Sequence, residues 1–115
     1  MKRYDMVKRL LKRYGQTVEI SAQMETAART AHAFIQPLRY KNKRYFDGDF
    51  LQGGLVDSRH FLYIGSPDVR LDLIHGSVTI QRGADMFVVR RSEAVFLGNE
   101  CIYIWSILQP FVPEP

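Results

Sequence analysis

Apolar and polar positions are patterned most densely between Gly83 and Gln109. An apolar run, Met86 to Val89, leads to Arg90-Arg91, then Ala94 to Leu97, a Gly98-Asn99 turn, and Cys101 to Leu108. Val, Ile, Phe, Tyr and Trp bounded by turn residues predict two or three adjacent β-strands, and Gly98-Asn99-Glu100 suits a short hairpin loop. In the last strand Cys101, Tyr103, Trp105 and Ile107 share one face, and Ile102, Ile104 and Leu108 the other. With both faces apolar, the strand is either central in a barrel or sandwich or has one face covered by another chain.

Earlier in the chain the period changes. Val7, Leu10, Leu11 and Tyr14 fall at i, i+3, i+4 and i+7, which predicts a helix over 3–14 with Lys8, Arg9, Lys12 and Arg13 on its other side. Gly15 stands where a left-handed cap would end it. From 16 to 25 the period is two: Val18, Ile20, Ala22 and Met24 alternate with polar residues, as in a half-buried strand ending near Met24. A helix over 22–31 competes on propensity. Thr30 to Leu38 is the next strand, with Pro37 implying an edge or a bulge, and Asn42 suits a tight turn. Asp47 to Gly54 reads as a mobile loop carrying Phe50 and Leu51. Leu55 to Ile64 reads as one strand, Val69 to His75 as a weak strand or a connecting segment, and Ser77 to Arg82 as a clean alternation. Pro110, Pro113 and Pro115 are expected to stop regular structure. The expectation is a mainly β domain: a small antiparallel β-barrel or sandwich of five to seven strands with a short N-terminal α-helix. It divides into a basic helix (1–15), the β body (16–110) and a Pro-rich tail (111–115).

Composition narrows the class. A chain of 115 residues, 46% hydrophobic and 24% charged, suits a single folded domain. One cysteine, Cys101, allows no intrachain disulfide and fits synthesis in a reducing cytoplasm. No apolar run approaches the roughly 20 residues of a membrane span, and the basic start lacks the apolar core of a signal peptide. The net charge of +4 is split: residues 1–45 hold 11 Lys/Arg against 3 Asp/Glu, residues 46–115 hold 5 against 9. Opposed ends suit head-to-tail association of copies, or a basic end near nucleic acid; a solvated helix face that keeps the chain soluble is the plainer alternative.

Candidate chemistry is sparse. His32, His60 and His75 lack metal-ligand spacing and would have to converge with Asp57, Asp68 or Asp72 to hold an ion. Cys101, inside an apolar strand, reads as a small hydrophobe rather than a nucleophile. No phosphate-loop, dinucleotide or nucleophile-elbow motif is present, so no catalytic residue, metal or cofactor is assigned, and a non-enzymatic protein is expected. Arg90-Arg91 with Ser92-Glu93 suits a solvated ion-pair cluster at a strand end or an interface anchor. Lys8, Arg9, Lys12 and Arg13, with Arg39, Lys41, Lys43 and Arg44 around Tyr40 and Tyr45, form a candidate single-strand nucleic-acid surface, since backbone neutralisation and base stacking need those groups.

The close of the chain, Met86-Phe87-Val88-Val89-Arg90 followed by a strand ending Ile107-Leu108-Gln109-Pro110, is similar to small head–tail connector proteins (head-completion or stopper-like) of tailed bacteriophages and prophages. Gln36 to Lys43 and Tyr63 to Pro67 resemble short proteins of prophage structural-gene clusters. The resemblance covers about residues 30–110 and lies in overall pattern more than in any one motif. It implies a structural subunit in virion assembly, oligomerising as a ring between portal and tail, present in the host cytoplasm and then in the virion. Its partners would be portal, adaptor or tail proteins, with DNA close by and no membrane. Asp47 to Gly54, with Phe50 and Leu51, would be the channel loop; Arg90, Arg91, Tyr103 and Trp105 are the other candidate contacts. The basic N-terminal helix departs from better-known members and leaves connector and tail protein both open.

Overall fold

The computed structural model describes residues 3–23, 27–38, 49–51, 54–56 and 59–113. Helix α1 (Arg3–Tyr14) precedes strands β1 (Gln16–Ala22), β2 (Arg29–Leu38), β3 (Asp49–Leu51), β4 (Gly54–Val56) and β5 (His60–Gly65). A 3-10 turn (Leu71–Leu73) then leads to β6 (Val78–Arg82), β7 (Asp85–Leu97) and β8 (Glu100–Pro113). All pairings are antiparallel. Six strands close in the order β1-β2-β5-β8-β7-β6, with β6 returning to β1 through Ile20 opposite Ile80. The molecule is a mainly β, closed antiparallel barrel with one short N-terminal helix, as expected.

Alternation explains the interior. On β1, Val18, Ile20 and Ala22 point inward while Thr17, Glu19 and Ser21 stay wet. Ala33, Ile35, Tyr63, Ile80, Phe87, Ile104 and Leu108 fill the rest of the core, and Phe61 meets Phe87 edge-on at 5.1 Å. The competing helix over 22–31 does not form: Ala22 ends β1 and Arg29 opens β2, the strand–loop–strand order preferred from the alternation. Hairpins β6–β7 and β7–β8 each turn on a two-residue loop, Gly83-Ala84 and Gly98-Asn99. Only the glycine has positive φ (58° and 63°), as in a loop of the II′ kind.

Several expectations are corrected. Of the two or three strands expected in the ribbon, two long ones form, because bulges absorb its irregularities. One lies between Val89 and Arg91, so Arg90-Arg91 sits mid-strand and not at a strand end. The other moves the register from Val95–Tyr103 to Phe96–Cys101 and leaves Ile102 over. Cys101 thereby packs against the core cluster, out of step with Tyr103 and Trp105. Pro110 does not end β8: it lies opposite Phe87, and Phe111 to Pro113 pair with β4. The segment read as a loop contributes two short strands, Phe50 opposite Leu55 and Leu51 opposite Gly54, so Leu55 to Ile64 is not continuous. Gly15 has no left-handed φ. It is needed for closeness, since its N–H donates to Leu11 O at 2.8 Å and a Cβ there would lie 3.1 Å from the Ala33 carbonyl.

Candidate functional site

Helix α1 packs on β2 and β8. The expected buried face of Val7, Leu10, Leu11 and Tyr14 is narrower than its periodicity implied. Leu11 is fully buried and Val7 half-buried, whereas Leu10 is 50% and Tyr14 61% exposed. With Met6 at 55%, they form a stripe at i, i+4 and i+8 beside the docked edge. Arg9, Lys12 and Arg13 are exposed around it, and the Arg13 guanidinium lies 5.3 Å from the Tyr14 ring centre.

The second apolar surface is the tip of the β7–β8 hairpin. Here β8 has passed the end of β5, whose last paired residue is Gly65 opposite Ile104. Two strands alone cannot bury both faces, and Phe96 (51%) and Leu97 (48%) stand open. Between Ser92 and Pro113 the chain carries Glu93 and Glu100 and no Lys or Arg.

The segment after β5 links the two surfaces. Lys8 Nζ reaches Asp68 at 2.9 Å. Two residues on, Arg70 clasps Asp72 through Nε–Oδ1 (2.9 Å) and Nη2–Oδ2 (2.8 Å), with its guanidinium 5.5 Å from the Phe96 ring centre. The hydrogen bond from Arg70 holds the Asp72 carboxyl below the usual carboxylate range, and the same bond raises Arg70. Burial pushes the neighbouring Cys101 thiol up, and its S–H donates weakly to Tyr103 O at 3.9 Å. Cys101 is therefore a protonated packing group rather than a poised thiolate. A shallow cleft of about 530 Å³ beside Arg70 is lined by Arg29, Leu73 and His75 among others.

The candidate contacts on the ribbon lie together. Trp105 is opposite Glu93 and Ile107 opposite Arg91, so Arg91 is Trp105's diagonal neighbour. Its guanidinium lies 5.7 Å from the indole while Nη2 meets Glu93 Oε1 at 2.6 Å. Trp105 and Tyr103 are half-buried, Arg90 and Arg91 exposed. Phe50 and Leu51 are on β3, at the far side of the β3–β4–β8 flap. Arg39, Tyr40, Lys41, Lys43, Arg44 and Tyr45 lie outside the described residues, as do Met24, Asn42, Asp47 and Asp57. Among the described residues no three His, Cys, Asp or Glu side chains gather as a metal site.

Inside the barrel Ser92 Oγ and Ser106 Oγ share a hydrogen bond of 2.7 Å, while the buried Tyr63 hydroxyl has no hydrogen-bond partner among the described residues. Desolvation raises the Tyr63 pKa well above the ordinary phenol value. Sequence reasoning passed over Met6, Phe96 and Leu97. Met6 was legible as the i−4 neighbour of Leu10, whereas the exposure of Phe96 depends on where β5 stops.

Compared with known proteins, the chain matches no family model, no curated protein and no solved structure.

Proposed function

We propose that this protein is a structural subunit that works by joining protein surfaces, including those of its own copies, at the head–tail junction of a phage or prophage particle. The observation that carries the joining role is the pair of exposed apolar surfaces, Met6-Leu10-Tyr14 and Phe96-Leu97, on a closed barrel. Closure pairs off the body of the sheet, so association is left to side chains at such patches and to the open edges of the β7–β8 ribbon and of β3. The resemblance of the closing strands to head–tail connector proteins supports the particle and a ring as the setting.

Sedimentation velocity over a wide concentration range, alone and with a portal ring from a tailed phage, tests this reading. Oligomers or co-sedimentation with the ring are expected. A strict monomer that ignores the portal overturns it.

A rival reading, a nucleic-acid-binding barrel, draws on the exposed Arg9, Lys12 and Arg13 beside the exposed ring of Tyr14. It requires single-strand binding whose affinity falls steeply with salt. Fluorescence anisotropy with a labelled oligonucleotide separates the two.

A further inference from the structure

We infer that the Met6-Leu10-Tyr14 stripe of one copy docks on the Phe96-Leu97 hairpin tip of a second copy; this rests on the self-assembling role proposed above and names its contact. The two surfaces match in chemistry. Each is a small apolar patch at least about half exposed. The helix side carries Lys8, Arg9, Lys12 and Arg13 against Asp5; the ribbon side carries Glu93, which Arg91 meets at 2.6 Å, and Glu100, with Arg70 over Phe96 as the cation nearest the tip. Apolar contact rimmed by opposite charge is the anatomy of a specific protein interface.

Within one copy both patches stay open to solvent. Buried Leu11 anchors α1 to the barrel, Lys8 is tied to Asp68, and Arg70, two residues later, lies on Phe96. Helix and tip thus flank one segment, and each keeps its apolar side outward. A second copy supplies the missing partner. Copies related by a two-fold axis make the contact twice; copies related by another rotation make it once each and continue into a ring. Either symmetry uses the same residues.

The test is disulfide trapping with full-length chains in a Cys101→Ala background. Leu10→Cys and Leu97→Cys chains are oxidised separately and as a mixture. The mixture is expected to give cross-linked heterodimers several-fold above the homodimers of either variant alone. A photo-crosslinker placed at position 10 of the otherwise unaltered chain is expected to capture the 96–100 region of another copy. Leu10→Glu and Phe96→Glu, each checked for an unchanged melting curve, should weaken oligomers at least about tenfold.

If the wild-type chain assembles but crosslinks join position 10 to any other region, the contact named here is wrong while self-assembly stands. A wild-type chain that stays monomeric and bound to a portal overturns the inference and leaves the joining role intact; one that does neither overturns both. Co-sedimentation with phosphatidylglycerol vesicles that Leu10→Glu abolishes would show a lipid surface as the stripe's occupant and also overturn the inference.

Discussion

Gly65 and Gly98 are small for different reasons, and substitution separates them. Gly65 faces the interior on β5, where a Cβ would fall against the hydroxyl and ring of fully buried Tyr63. Gly98 has φ 63° and open space around it. Gly65→Ala is expected to cost roughly 1–3 kcal/mol by overpacking, and Gly98→Ala about 1 kcal/mol from backbone conformation alone; urea denaturation of both variants checks the order. Asp72 gives a pH signature. Its folded pKa is depressed by the Arg70 hydrogen bond, so its contribution is present above the unfolded carboxylate pKa of roughly 4 and is lost as pH falls through the folded value. The partly exposed pair is worth at most about 1 kcal/mol. Asp72→Asn should lower the melting temperature slightly at neutral pH and converge with wild type in acid; an equal difference at every pH would refute the assignment. Neither residue's role was legible beforehand. Gly65 precedes Ser66-Pro67, whose composition suits a turn rather than a packed strand end, and the Arg70–Asp72 clasp depends on a 3-10 turn too short to show a period.

At the scale of elements, the helix separates anchoring from display. Leu11→Ala removes a fully buried side chain and should cost roughly 2–4 kcal/mol. Leu10→Ser, one residue away and half exposed, should change the melting temperature of the isolated protein little. Thermal melts followed by far-UV circular dichroism distinguish them, and equal losses would mean that the helix docks on a different face. The 3.6 period located this helix correctly but overstated its buried arc, because periodicity reports which residues share a side and not how much of it a neighbour covers. Strands with clean alternation, β1 and β6, were legible for the converse reason: each has one core face and one wet face. The ribbon was legible as strands but not in phase, since a bulge at Ile102 changes which side Cys101 takes and leaves no mark in composition. Pro110 and Pro113 misled because a proline costs only its own N–H, which β8 does without.

For the whole molecule, closure rests on pairings between distant parts of the chain, such as Ala22 with Val78 and Leu62 with Ile107. Loop-closure entropy is spent before such contacts form, so refolding from urea is expected in the slow range of small barrels, roughly milliseconds to seconds. Stopped-flow tryptophan fluorescence on Trp105 reads this directly, and a microsecond phase carrying the full amplitude would contradict it. The barrel class was legible from the number of short strands and turns. The neighbours in the sheet were not, because β2–β5 and β5–β8 skip over intervening segments and no local pattern encodes that choice.

Strand β8 comes after the other seven, yet it is hydrogen-bonded to β4, β5 and β7. Without β8 the sheet has no closure: β5 keeps only β2 beside it and β7 only β6. Docking of β8 between β5 and β7 is therefore the step that encloses Ile104 and Leu108 and completes the interior.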